Sequence, residues 1–108
     1  FNIHKNEPNY VTMNNVQSSI ITEKKISHKK LEGKIICISS ADPGYDFLFS
    51  KNIGGLITCF GGANSHMAIR CAELNIPALI GVGEKNFSKI SQSNYIEMDC
   101  ELKKYNIV

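Results

Sequence analysis

Gly55-Leu56-Ile57-Thr58-Cys59-Phe60-Gly61-Gly62-Ala63-Asn64-Ser65-His66-Met67-Ala68-Ile69-Arg70-Cys71-Ala72-Glu73-Leu74-Asn75-Ile76-Pro77-Ala78-Leu79-Ile80-Gly81-Val82 decides the fold. The run 55–59 is apolar around a single threonine and reads as a buried strand. Met67 to Leu74 is apolar at helical spacing, and the helix is predicted over 65–74. Asn75 follows it, where a left-handed C-cap is needed, and Pro77 bars further helix. Ala78 to Val82 reads as a second buried strand. The order strand, tight turn, helix, strand predicts a parallel β-α-β unit.

The turn is as informative as the elements. A glycine pair between strand and helix lets backbone N–H groups converge on one point. The helix N-terminus adds unpaired donors and a partial positive charge. Together they make an anion site from backbone alone. His66 sits at its mouth. Imidazole is a good nucleophile near neutral pH, so the anion can become covalently attached to the ring.

The segment resembles the phosphohistidine domain of the phosphoenolpyruvate-utilising enzymes. That family carries Gly-Gly-x-Thr-Ser-His-x-Ala-Ile-x-Ala-Arg-Glu-x-Gly-Ile-Pro-Ala. Gly61, Gly62, Ser65, His66, Ala68, Ile69, Glu73, Ile76, Pro77 and Ala78 match it as they stand. The resemblance extends more weakly from about Leu31 to the C-terminus. Asn64 stands where the family usually has Thr, and Ala72 where it usually has Arg, while Arg70 lies two residues earlier. The resemblance implies a swivelling β/β/α domain with a mixed sheet and about three helices. It also implies that His66 is phosphorylated transiently, between a nucleotide-binding domain of the ATP-grasp type and an acceptor-binding domain. Pyruvate or phosphoenolpyruvate is one implied acceptor. ATP and magnesium are expected on those partner domains, and no cofactor on this one. Gly61, Gly62, Asn64, Ser65 and Arg70 are the expected phosphoryl-binding residues around the catalytic His66.

The rest of the chain frames this unit. Residues 1–8 are polar, end in Pro8 and read as a linker or tail; 9–108 form one domain, read as a piece of a larger enzyme. Tyr10–Met13 and Val16–Ile21 flank Asn14-Asn15, which predicts a hairpin. Lys34–Ile38 follows Gly33 as a strand buried on both faces. Asp42 and Pro43 predict the start of a helix over 42–52, with Tyr45, Leu48 and Phe49 inward and Asn52 to Gly55 ending it. Glu84 to Ile90 reads as a short helix with Phe87 and Ile90 inward. Tyr95–Asp99 alternates as an edge or half-exposed strand, and Tyr105–Val108 reads as a last strand.

Composition narrows the function. Hydrophobic content of 43% indicates a globular chain, and a net charge of +2 gives no support to a nucleic-acid partner. The lysines at 24, 25, 29, 30 and 34, with His28 among them, read as a solvated surface and have no interleaved aromatics. No apolar run is long enough to span a membrane. Cys37, Cys59, Cys71 and Cys100 lack metal-ligand spacing, and the cytosol is the expected compartment.

Individual side chains leave alternatives. Ser65 caps the helix, binds the phosphoryl oxygens, or both. His66, Arg70 and Glu73 fall at i, i+4 and i+7 on one face. Arg70 therefore leans toward a phosphoryl group or a partner's nucleotide, or pairs with Glu73. Cys71 lies around the helix from His66 and makes no catalytic pair with it. Asp99 has a carboxylate that can orient a histidine, but nothing in the spacing places it. A non-catalytic docking or regulatory module that keeps the fold is the alternative reading, resting on Asn64 and Ala72. A small hydrolase or thiol enzyme lacks a base–nucleophile pair.

Overall fold

The computed structural model describes residues 9–108 apart from positions 29, 41, 42 and 63, and without the side chains of His28 and Pro43. The expected linker 1–8 and the Asp42 cap lie outside the described residues. The strands are β1 (Asn9–Val11), β2 (Asn15–Thr22), β3 (Ile35–Ser40), β4 (Gly55–Phe60), β5 (Ala78–Ile80), β6 (Tyr95–Asp99) and β7 (Lys104–Ile107). The helices are α1 (His66–Leu74) and α2 (Glu84–Ser91), with 3-10 segments at Glu23–His28 and Pro43–Lys51. One seven-stranded mixed sheet runs in the order β1-β5-β4-β3-β2-β6-β7. Pairing is parallel across β2, β3, β4 and β5, and antiparallel at β1/β5, β2/β6 and β6/β7.

The side-chain period of two divides the buried residues into two cores. Ile36, Ile38, Leu56, Ala78 and Ile80 face one way and pack with Leu48, Ile53, Met67, Ala68 and Cys71. Ile35, Cys37, Ile57 and Leu79 face the other way and pack with Ile90, Ile96 and Met98. The central strands are therefore covered on both faces, which is why β3 and β4 read as unbroken apolar runs. The Pro43–Lys51 segment and α1 cover the first face; α2 lies on the second.

Helix α1 forms where the sequence places it. Ser65 is its N-cap, with φ −69° and ψ 158°, and Asn75 caps it in the left-handed region at φ 60° and ψ 39°. The N–H of Asn75 donates to Ala72 O and that of Ile76 to Cys71 O, which occupies the terminal carbonyls. Helix α2 turns Ile90 fully inward, with Phe87 packed at the edge of the same core. Strand β6 alternates as expected but is interior, between β2 and β7, rather than an edge.

Two expectations are corrected. The Asn14-Asn15 hairpin does not form, because β1 pairs with β5 and β2 with β3 and β6. Thr12, at φ 72°, takes the positive-φ position instead. The Asn14 side-chain N–H donates to Asn75 O at 2.9 Å, and the Asn14 backbone carbonyl accepts from Cys100 N–H at 3.1 Å. The bend is thus pinned between the end of α1 and the end of β6, and the two strands diverge. The second correction concerns Pro43–Lys51, which is helical as expected but 3-10 rather than α. Leu48 is fully buried there, and Tyr45 and Phe49 pack against the same core. Asn52, at φ 54°, ends the segment.

Candidate functional site

Strands β3, β4 and β5 are parallel, so their carboxyl ends meet at one end of the sheet, where open α/β sheets place ligands. The turn after β4 stands there. Thr58, wholly buried, accepts the Gly81 N–H on both Oγ1 (3.0 Å) and its carbonyl (3.1 Å), which latches the end of β5 to β4. A Cβ at Gly81, where φ is +77°, would strike the Gly61 carbonyl oxygen. The close approach of these two turns therefore requires glycine at 81.

The turn itself is short. Gly61 lies at φ 130°, and the Ser65 N–H donates to Gly62 O at 3.0 Å. Ser65 Oγ accepts from the Ala68 N–H at 3.4 Å, and its carbonyl receives the Ile69 N–H at 3.0 Å. Gly61, Gly62 and Asn64 are exposed around this turn. His66 is the first residue of α1, and its side chain is 40% exposed. Met67, Ala68 and Cys71 anchor the opposite face of the helix in the core.

The sequence reading did not single out the closest partner of His66. The ring Nε2 lies 2.9 Å from Asp46 Oδ1. A carboxylate only accepts, so the ring donates Nε2–H to Asp46. Arg70 Nε lies 3.7 Å from the same oxygen, and its Nη1 lies 3.4 Å from Glu73 Oε1. The guanidinium also stands over the Phe49 ring, 5.4 Å from its centroid. The pairing with Glu73 is thus present, and the same guanidinium also reaches the carboxylate that holds His66.

The 3-10 geometry explains this contact. With three residues per turn, Asp46 and Phe49 eclipse one another and form a single ridge. His66 and Arg70, four apart on α1, form the facing ridge. Asp46 meets His66, and Phe49 meets Arg70. The segment is held in place from behind by Glu23. That carboxylate accepts the Tyr45 hydroxyl at 2.6 Å and the Ser39 N–H at 3.1 Å.

Other candidates fall away from the site. Asp99 accepts the Leu102 N–H at 3.1 Å in the turn after β6. Cys71 is buried on the inward face of α1, away from the exposed His66. Burial pushes the Cys37 and Cys71 thiols up to about 12 and raises those of Cys59 and Cys100. All four cysteines are buried and free. Protonated, inaccessible thiols are not nucleophiles. Among the described residues, no helix is long and apolar enough to cross a membrane.

Residues 30–102 match the family model described as PEP-utilising enzyme, mobile domain. The chain is 30% identical over 84 residues to a phosphoenolpyruvate synthase of Aquifex aeolicus (strain VF5), covering 78% of this chain. That stretch spans 10% of the relative's length.

Proposed function

This chain belongs to the mobile-domain family of PEP-utilising enzymes, and from that premise we propose that it is a phosphoryl carrier in which His66 is transiently phosphorylated. The observation that carries the reading is the placement of His66. An exposed imidazole opens a helix directly behind a Gly-Gly turn, with Arg70 on the same helical face. A ring nitrogen takes the phosphoryl group and later yields it to an acceptor. The helix N-terminus and the turn at Gly61, Gly62, Asn64 and Ser65 offer donors to the phosphoryl oxygens. Arg70 offers a positive charge. Phosphoryl transfer depends on positioning and charge stabilisation of this kind.

The residues beside His66 do not suit a magnesium ion. The nearby carboxylate, Asp46, is shared between His66 and an arginine, whereas magnesium needs open oxygen ligands. The reading therefore assigns ATP and magnesium to an ATP-grasp-type domain of a longer protein. It assigns pyruvate, phosphoenolpyruvate or another small acceptor to a further domain. The small share of the matched synthase that this chain covers supports such an arrangement. Four buried free thiols suit a reducing compartment, and the cytosol is proposed. As a whole the protein would be a phosphotransferase.

Labelling tests the reading. The full-length protein, incubated with labelled ATP or labelled phosphoenolpyruvate, is expected to carry acid-labile, base-stable phosphate. His66→Ala is expected to carry none. Equal label in that variant would exclude His66 as the carrier.

A further inference from the structure

We propose that Asp46 is the counter-anion of the carrier: it occupies His66 Nε2 when the ring is empty, surrenders that nitrogen when the ring is charged, and then drives the phosphoryl group onward by repulsion. The inference rests on the reading of His66 as the phosphoryl carrier. Three observations support it. Asp46 Oδ1 lies 2.9 Å from Nε2, where a phosphoryl oxygen would stand if that nitrogen were charged. Arg70 Nε lies 3.7 Å from the same Oδ1. Nε2 is therefore the nitrogen that faces the cation, and a dianion bonded to it would have Arg70 within reach. The side chains of His66 and Asp46 are 40% and 47% exposed, so a donor can approach the pair from solvent.

The carboxylate and the phosphoryl group cannot share this place. In the empty state Nε2–H donates to Asp46. On charging, that proton leaves through Asp46 to solvent, and Nδ1 takes one from solvent, so the ring stays neutral. The Nε2 lone pair then forms the N–P bond as the donor's bond to phosphorus breaks and the leaving group departs with its electron pair, and Nδ1 returns its proton to solvent, so the phosphorylated ring is neutral. Asp46 turns aside but remains close to two new negative charges. Arg70, held against Phe49, exchanges the carboxylate for the phosphoryl group. The Tyr45–Glu23 hydrogen bond limits how far the Asp46 segment can withdraw. The empty carrier is thus stabilised and the charged one weakened, which favours delivery to the acceptor.

Chemical charging isolates this effect from the partner domains. The full-length protein is treated with phosphoramidate, and phosphate at residue 66 is mapped and followed by mass spectrometry and 31P NMR at pH 8. Asp46→Asn and Asp46→Ser are compared with wild type, with melting temperature as the folding control. A carboxylate about 4 Å from a phosphoryl dianion is worth about tenfold with full solvent screening at physiological ionic strength. The expected result is phosphate on Nε2 whose half-life is about tenfold longer in both variants. An unchanged or shorter half-life in a folded variant overturns the role of Asp46 and leaves the carrier reading intact. Phosphate on Nδ1 does the same. Failure of wild-type His66 to be charged, while other exposed histidines of the protein are, overturns the carrier reading and this inference with it.

Discussion

Arg70 is the side chain whose contacts pull in two directions. It spans Asp46, Glu73 and the Phe49 ring at once. The Glu73 pair is exposed, and such pairs contribute ~0–1 kcal/mol. Stacking on Phe49 adds about 0.5–1 kcal/mol at a site of this exposure. Arg70→Ala is therefore expected to cost about 0.5–2 kcal/mol of stability, a fall of several degrees in melting temperature, while slowing phosphoryl transfer far more than that loss explains. Arg70→Lys should restore part of the rate, because an ammonium keeps the charge and loses the planar fork. Wild-type transfer in Arg70→Ala, beside an inactive His66→Ala control, would confine Arg70 to the surface pair. The buried thiols make a different residue-scale prediction. Burial pushes Cys37 and Cys71 up to about 12, against an ordinary value of 9.0. Above pH 9 the unfolded chain loses these protons before the folded one does. Stability is then level below about pH 8 and falls as the pH rises toward 12, by up to about 1.4 kcal/mol per unit for each thiol. Urea midpoints between pH 8 and 10.5 measure this slope, which should be shallower in Cys37→Ala.

Among the elements, the 3-10 segment Pro43–Lys51 has the most consequence for the site. It buries Leu48 completely and presents Asp46 and Phe49 to α1. Leu48→Ala is expected to cost ~2–5 kcal/mol. The same change loosens the ridge that carries Asp46, so urea unfolding and transfer rate should fall together. A loss of stability below 1 kcal/mol would mean that the segment does not lean on that side chain. This element also shows what the sequence could and could not disclose. Helix α1 was legible because its signals are local: Ser65 before it, Asn75 after it, Pro77 beyond, and an apolar face between. The two-faced burial of β3 and β4 was legible from unbroken apolar runs. Asp46 was not, since it lies 20 residues from His66 and no local pattern joins the two. The expected hairpin failed for a related reason. Asn14-Asn15 is a local turn signal, whereas the pairing of β1 depends on β5, some 70 positions along the chain. Edge-strand partners are set by which face and edge remain uncovered, and no short window of sequence records that.

At the scale of the whole molecule, the site faces outward. His66 stands at the carboxyl end of the parallel strands, with Ile69 one turn further on α1 and Phe60 at the end of β4, both about half exposed. On the proposed carrier reading, the residues around His66 hold the phosphoryl group while the donor and acceptor sites lie on other domains that come to the ring. The stretch matching the synthase accounts for 10% of that protein. The 108-residue chain alone, given labelled ATP or labelled phosphoenolpyruvate, is therefore expected to stay unlabelled. Mixing it with a full-length protein in which the residue equivalent to His66 is alanine should change the outcome. The variant supplies the partner sites, the short chain supplies the histidine, and label should appear on the short chain only. A tether gives its domain an effective concentration near the millimolar range. Transfer in trans at micromolar concentration should accordingly be slower by about two to three orders of magnitude, and linear in the concentration of the short chain. Ile69→Glu should reduce this trans rate without altering the chain's melting temperature, because an exposed apolar residue beside the ring matters only where a partner surface covers it. Label on the short chain without the full-length variant would show that this domain holds a donor site of its own. Label on neither chain in the mixture, with wild-type full-length protein labelled normally, would show that the carrier works only within its own polypeptide.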